Sequence, residues 1–204
     1  MATLSRAAVV AGLCMVLAAG CASAPSRGLH PTPPSLGQYP YSDADVDFMA
    51  GMIPHHAQAV IMAGWAPTHG ARKDVAILCE RIVVGQRDEI ALMQQWLRER
   101  GLPVPDATST RHKMKMNGME HEMLMPGMLT DEEMAALDRA RGQEFDRLFL
   151  LGMIKHHQGA IDMVDVLLKS YGAAQDETVF KFANDVQADQ SIEINVMKEM
   201  LEGR

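Results

Sequence analysis

The feature that most constrains the fold of this chain is an internal repeat. The segment FMAGMIPHH at residues 48–56 aligns without a gap with FLLGMIKHH at residues 149–157. Each copy contains two stretches with apolar residues at helical spacing, which predicts a helical hairpin. Two hairpins that each carry one apolar stripe bury those stripes most simply as a four-helix bundle. The second helices also match, with Gln86, Glu89, Ile90, Met93 and Leu97 corresponding to Gln190, Glu193, Ile194, Met197 and Leu201.

Helix boundaries follow from local signals in the sequence. Ser42 with Asp45, and Thr130 with Glu133, are capping-box sequences that start a helix. We predict helices over residues 43–65, 71–100, 130–171 and 176–201, the third of them bent near Gly142. Because no stretch shows sustained strand alternation, the predicted class is all-α. Residues 42–204 then form one domain, with repeat one at 42–101, a long loop at 102–129 and repeat two at 130–204.

The first 20 residues have the features of a signal peptide, since Arg6 precedes a short apolar run and then small residues. The run is too short to cross a hydrocarbon core of ~30 Å, which needs about 20 helical residues. Cys21 directly follows Leu-Ala-Ala-Gly, as in a bacterial lipobox, so we predict acylation of Cys21; an unmodified thiol is the alternative. Residues 21–41, rich in Ser, Pro and Gly, are predicted to be a flexible tether on the periplasmic side of the envelope.

Cysteine content argues against an intramolecular disulfide, and the net charge argues against a nucleic-acid partner. Once residues 1–20 are removed and Cys21 is acylated, only Cys79 remains, so no intramolecular disulfide is possible. Cys79 lies in an apolar run and is predicted to be a buried, inert thiol. The mature chain has 18 basic and 26 acidic side chains, a formal charge of −8, which argues against a nucleic-acid partner.

Both first helices of the repeat carry the pattern Met-Ile-x-His-His. Met52 lies one turn before His55 and His56, so thioether and imidazole share one side of the helix, and Met62 follows further along it. A single histidine would more simply pack as a hydrogen-bonded core residue, but two pairs at matching positions favour metal binding. Imidazole and thioether together suit copper. The second copy repeats the set with Met153, His156, His157 and Met163.

The long loop is the second candidate site. Residues 112–128 contain six methionines and two histidines in 17 residues, outside any core pattern. A segment with many thioethers can wrap a soft, low-coordinate ion such as Cu(I) or Ag(I), and these ligands need no deprotonation. The alternative is an apolar loop that packs over the bundle, because methionine is adaptable in packing. The candidate ligands are His112, Met114, Met116, Met119, His121, Met123, Met125 and Met128.

The two ligand types predict different pH dependence. Imidazole must lose its proton to bind metal and has an ordinary pKa of ~6.5, so binding by the histidine pairs is expected to weaken as the pH falls towards 5. Thioether has no proton to lose. Cu(I) binding by the loop methionines is therefore expected to persist at pH 5.

Three spaced motifs resemble the domain of unknown function 305 family. They are DFMAGMIPHH at residues 47–56, MPGMLT at 125–130 and FDRLFLLGMIKHHQGA at 145–160. The resemblance covers residues 42–201 and implies a ferritin-like four-helix bundle, exported from the cell, with copper-binding members linked to copper resistance. The motif positions that it carries over to this chain are Met52, His55, His56, Met153, His156 and His157.

These observations lead to two functional hypotheses of different classes. The first is an exported protein that sequesters copper, or silver, or hands it to another copper-handling protein. The second is an interaction module whose methionine-rich loop docks a partner protein through adaptable apolar contacts. The sequence contains no Glu-x-x-His pair for a di-iron site, no phosphate-binding glycine motif and no His-Glu-x-x-His zinc motif. We therefore expect a binding protein and not an enzyme.

Overall fold

The computed structural model describes residues 40–116 and 119–203, with the backbone alone for residues 114–116. Four long helices dominate this part of the chain, and two short helices and one β-hairpin connect them. In chain order the elements are α1 (Asp43–Gly64), α2 (Ala66–His69), α3 (Lys73–Glu99), β1 (His112–Met116), β2 (Met119–Met123), α4 (Asp131–Arg139), α5 (Gln143–Lys169) and α6 (Glu177–Leu201).

Both predicted capping boxes are present. The backbone N–H of Asp45 donates to the Ser42 hydroxyl at the start of α1, and the Asp45 carboxylate accepts the Ser42 backbone N–H at 2.7 Å. Thr130 and Glu133 make the same reciprocal pair at the start of α4. These bonds satisfy N–H groups that a helix start leaves without intrahelical partners.

The long helices form a bundle of two related hairpins. α1 packs on α3, α5 packs on α6, and the hairpins meet along α1 and α5. A methyl group on Gly51 of α1 would lie 3.6 Å from the Met163 methyl of α5, and one on Gly152 of α5 would lie 3.4 Å from the Met62 methyl of α1. Gly51 and Gly152 occupy matching positions in the repeat, and so do Met62 and Met163. The same glycine–methionine contact therefore occurs twice across the interface. The predicted helical bundle built from a duplicated hairpin is confirmed.

The expectation of a loop without strands at residues 102–129 was wrong. β1 and β2 form an antiparallel hairpin in which His112 pairs with Met123 and Met116 pairs with Met119. The physical reason lies in the alternation of the sequence: charged residues occupy every second position of HKMKM and MEHEM. This period places Lys113 opposite Glu122, with Nζ 3.5 Å from Oε1, and opposite charges on facing strands stabilise the pairing.

The third predicted helix is broken and not bent. α4 ends at Arg139 and α5 begins at Gln143. Between them Ala140 is extended, and Gly142 has a φ of 58°, in the left-handed region that glycine adopts without strain. The Gly142 N–H donates to the His69 carbonyl oxygen at 2.7 Å, which ties this break to α2.

The buried thiol predicted at Cys79 is confirmed. The side chain is 1% exposed. Burial, reinforced by the charge of Asp146, raises the pKa of this thiol to about 12. At neutral pH the group is therefore a protonated apolar side chain, which is a poor nucleophile and a poor metal ligand.

The predicted signal peptide, Cys21 and the tether up to residue 39 lie outside the described residues. Acylation and the tether therefore stay predictions. Across residues 40–116 and 119–203, every helix is too short or too polar to cross a membrane.

Candidate metal centre

The four predicted histidines come together at the centre of the bundle. His55 and His56 lie on α1, His156 and His157 lie on α5, and each is 0% exposed. The rings of His55 and His156 are in contact, with their centroids 3.8 Å apart and their planes tilted by 42°. The two rings of each sequence pair are 6.1 Å and 6.2 Å apart. The repeat thus contributes one histidine pair from each hairpin to a single buried cluster.

The outer two histidines contact carboxylates of the second helix in their own hairpin. His56 Nε2 lies 2.7 Å from Glu89 Oε2 of α3, and His157 Nε2 lies 2.7 Å from Glu193 Oε2 of α6. Because an ionised carboxylate only accepts hydrogen bonds, the Nε2 atom of each ring carries the hydrogen. The same contact in both repeats fixes the orientation of both rings.

The inner two histidines are held by backbone carbonyl groups. His55 Nε2–H donates to the Pro126 carbonyl oxygen at 3.0 Å. His156 Nε2–H donates to the His55 carbonyl oxygen at 3.0 Å. A carbonyl oxygen cannot donate, so Nε2 is again the protonated nitrogen in each ring.

The remaining ring nitrogen, Nδ1, is buried in all four histidines and has no hydrogen-bond partner among the described residues. With hydrogen on Nε2, a neutral ring carries a lone pair on Nδ1. Histidines that bind metal commonly show this arrangement, in which the other N–H donates to a carboxylate or a carbonyl group. An unmet buried acceptor costs about 1–3 kcal/mol. Four such atoms in one cluster therefore fit an ion-binding centre better than a packed core.

The number of available ligands limits the kind of ion. Among the described residues, no three side chains of histidine, cysteine, aspartate or glutamate form a group that could hold one metal ion. The geometry therefore favours low coordination, by two imidazoles or by imidazole and thioether. Met52 and Met153 lie one turn before the two histidine pairs and are 0% exposed. Thioether and imidazole ligands suit copper, and thioethers suit Cu(I) in particular.

Burial controls the protonation of the inner histidines. Desolvation holds the pKa of His55 and of His156 well below the ordinary imidazole value, and positive charge on neighbouring histidines would lower both pKa values further. The rings stay neutral, and Nδ1 stays free to bind metal, at a pH where an exposed histidine is protonated. For this inner pair we therefore expect metal binding to weaken only at a lower pH than it would with ordinary imidazoles.

The segment that supplies the Pro126 carbonyl group packs closely against α5. A methyl group on Gly127 would lie 2.7 Å from the Gly159 Cα atom, so both glycines permit a close backbone contact. Met128 is 4% exposed, and its sulfur accepts the Met125 N–H at 3.2 Å. Packing thus accounts for Met128, and Met125 is half-buried. The expectation that all six loop methionines lie outside the core was wrong for these two.

Replacing Gly159 with alanine is expected to separate the Pro126 carbonyl group from His55. The added methyl group would overlap the Pro126 carbonyl oxygen and lie 2.6 Å from the Gly127 Cα atom. We expect a loss of about 1–3 kcal/mol in the free energy of unfolding, measured with urea. Gly85→Ala on α3 is the control: no atom lies within 4 Å of its added methyl group, so stability is expected to rise by about 0.5–1 kcal/mol. Equal losses at the two positions would contradict this account.

The β-hairpin places the other candidate ligands on one face. Its register pairs position 112 with 123, 114 with 121, and 116 with 119. Since side chains alternate along a strand, His112, Met119, His121 and Met123 share a face, whereas Lys113 and Glu122 belong to the opposite face. Met119 and Met123 are 62% and 45% exposed, and His121 is also exposed. The thioethers of β2 are therefore accessible to an ion from solution.

His112 differs from the other candidates on the hairpin. It is 7% exposed, and burial lowers its pKa, although the nearby Asp47 carboxylate of α1 opposes this shift. The same burial raises the pKa of Asp47, and the His112 charge opposes that rise. His112 thus lies where the hairpin meets the bundle.

Two residues of the centre were not recognised from the sequence as part of it. Glu89 and Glu193 were aligned as matching repeat positions but were not among the candidate site residues, and in the structure they orient His56 and His157. The signal was present in the repeat, because each glutamate occupies a matching position in a matching helix.

Three comparisons place this geometry among known proteins. The family model described as Domain of unknown function (DUF305) matches residues 45–201. A DUF305 protein from Streptomyces coelicolor, described as secreted, is 28% identical over 78% of this chain and 93% of that chain, with a TM-score of 0.66. A search of curated proteins found no match.

Structures of a protein named CopM are also similar. Its Cu(II)-bound form is 31% identical over 78% of this chain and 96% of that chain, with a TM-score of 0.59. Its Cu(I)-bound form is 28% identical with the same coverage and a TM-score of 0.59. CopM has also been solved with bound silver.

Proposed function

This chain belongs to the family described as Domain of unknown function (DUF305), and from that premise we propose that it binds copper within the buried histidine cluster, with two imidazoles or one imidazole and one thioether on each ion. The observation that carries the proposal is the set of four buried Nδ1 atoms that have no hydrogen-bond partner in the described part of the chain, each in a ring fixed through Nε2. The copper-bound structures of CopM support copper as the ion, since that protein shares the fold.

The hairpin is the second binding element in this proposal. Its thioether face collects Cu(I) from solution, and the buried centre holds copper in a site with fixed rings. The hairpin also binds Ag(I), because Ag(I) is a soft ion like Cu(I). CopM has been solved with bound silver. The protein in this way sequesters copper or hands it to another copper-handling protein, and so contributes to copper homeostasis or resistance.

The cellular setting forms part of the same proposal. The chain is exported and held at the periplasmic side of the bacterial envelope by a lipid on Cys21. It acts as a binding protein without catalytic activity. A secreted relative supports export. Cys21→Ser is expected to release the protein from the membrane fraction; wild-type protein that is soluble and unlipidated by mass spectrometry would contradict the anchor.

Metal analysis of the purified protein tests the proposed function against the docking hypothesis. The protein is incubated with Cu(II), or with Cu(I) under anaerobic conditions, and then desalted before copper is measured. We expect stoichiometric copper to remain bound. Replacement of His55, His56, His156 and His157 with glutamine is expected to remove copper from the centre while the helical circular-dichroism signal is kept. Wild-type protein that retains no more copper than this variant would contradict the proposal.

The hairpin thioethers are tested separately at pH 5 in the variant whose four buried histidines are replaced with glutamine, which serves as the parent, because the neutral inner pair would still bind Cu(I) at this pH. Leucine at positions 114, 116, 119 and 123 keeps size and apolarity but removes sulfur, so Cu(I) affinity in a competition titration is expected to fall at least about tenfold. Glu120→Gln with Glu122→Gln, on the opposite face, is the control and is expected to bind like the parent. Equal Cu(I) affinity of the leucine variant and the parent would show that the hairpin is not a soft-ion site and would favour the docking module.

A further inference from the structure

A small polar cavity lies between α3 and α6, outside the histidine cluster. Its volume is about 70 Å³. Since a water molecule occupies roughly 30 Å³ in the liquid, this volume accommodates a small ion with one or two waters. The polar residues that line it are Arg81, Gln86, Glu89, Asp189, Gln190 and Glu193.

The two glutamates present oxygen atoms to this cavity. Glu89 and Glu193 each use Oε2 to accept a hydrogen bond from a histidine. Among the described residues the Oε1 atom of each glutamate accepts no hydrogen bond, and the side chains are 25% and 18% exposed. Each carboxylate therefore bridges the buried centre and the cavity.

The two glutamines are the second, independent observation. Gln86 is 5% exposed and Gln190 is 4% exposed, and the Oε1 atom of each is buried without a hydrogen-bond partner among the described residues. An unmet buried acceptor of this kind costs about 1–3 kcal/mol. The same defect occurs at matching positions of both repeats, on the wall of one cavity. A ligand that bonds oxygen acceptors would remove it.

The charges around the cavity indicate the sign of that ligand. Three carboxylates and one guanidinium group line it, which gives a net charge of −2. Amide and carboxylate oxygens are acceptors only, so a cation satisfies all of them at once. Nitrogen and sulfur ligands are not supplied by this lining, which disfavours copper.

We propose that this cavity is a site for an oxygen-preferring divalent cation such as Ca²⁺, Mg²⁺ or Mn²⁺. The ligands are the Oε1 atoms of Gln86, Glu89, Gln190 and Glu193, and water completes the coordination shell. Binding of this cation does not depend on copper, so it is tested on copper-free protein.

Mn²⁺ serves as the probe, with free Mn²⁺ measured by electron paramagnetic resonance during a titration. One tight site is expected. Replacement of Gln86 and Gln190 with leucine is expected to weaken Mn²⁺ binding at least tenfold and to leave copper affinity unchanged. Asp185→Asn is the matched control, because that carboxylate on α6 pairs with Lys181 on the surface; its Mn²⁺ affinity is expected to equal that of the parent. Equal Mn²⁺ affinity of the leucine variant and the parent would overturn the proposal.

A measurement on wild-type protein keeps the test decisive if the leucine variant does not fold. Substoichiometric Mn²⁺ is added to ¹⁵N-labelled, copper-free protein, and the broadening of backbone amide signals is recorded. The strongest broadening is expected at Gly85, Gln86 and Gln190. Broadening centred elsewhere, or none, would overturn the proposal whether or not the protein binds copper.

Discussion

Copper-free protein is expected to lose up to about 4 kcal/mol of stability between pH 6.5 and pH 5 through His55 and His156. Well above pH 6.5 both rings are neutral in the folded and unfolded chains and contribute no pH dependence. Below it the unfolded chain binds protons, whereas burial holds the pKa of both rings well below 6.5 in the folded chain. Each group then removes about 1.4 kcal/mol per pH unit, until the pH reaches its pKa in the folded state.

Urea unfolding at pH 7, 6 and 5 measures this loss. Other groups titrate in the same range, so the comparison is with a variant in which His55 and His156 are replaced by glutamine, which has no proton to bind. The variant is expected to have a much smaller fall in the free energy of unfolding than the parent. If parent and variant lose the same free energy between pH 7 and pH 5, these histidines are not held neutral by burial.

The second large effect is on copper affinity. Replacement of His55 and His156 with glutamine is expected to weaken Cu(I) binding at the buried centre by more than about 100-fold, because it removes ligands. Glu89→Gln with Glu193→Gln is expected to cost about 10- to 100-fold, since these groups orient the rings without touching the ion. Competition with a chromophoric Cu(I) chelator at pH 7 gives both values.

His69 provides the control for that titration. It is also buried, at 4% exposed, but both of its ring nitrogens have partners: Nδ1 lies 2.9 Å from the Thr68 hydroxyl and Nε2 lies 2.9 Å from the Asp138 carbonyl oxygen. His69→Gln is therefore expected to leave Cu(I) affinity unchanged. A loss in this variant equal to that at His55 and His156 would mean that the titration reports misfolding.

The sequence predicted the parts of the fold that depend on local signals and on the repeat. The capping pairs at Ser42 and Thr130 mark the true helix starts, and the repeat predicted which helices form hairpins. The Asn117-Gly118 pair between two alternating stretches is a typical hairpin signal. That signal was missed because helical spacing dominated the interpretation of the chain.

The sequence predicted which histidines form the candidate site, but it did not predict their free Nδ1 atoms or their lowered pKa values. His55 and His156 are recognisable from their repeated motif, but the contact with the Pro126 carbonyl group joins residues 71 positions apart. The free Nδ1 atoms follow from such distant contacts, and the lowered pKa values follow from burial among four helices. Neither property is encoded in the spacing of the motif itself.

In the proposed function, copper binds the Nδ1 atoms of the buried histidines. Long-range ¹H–¹⁵N correlation spectra of the protein, recorded during titration with Cu(I) under anaerobic conditions, test it directly because Cu(I) is diamagnetic. We expect the Nδ1 signals of His55 and His156 to shift on metal binding while their Nε2 atoms stay protonated. Shifts confined to His112, His121 and the methionine methyl groups, with the four buried Nδ1 signals unchanged at saturating Cu(I), would contradict the claim.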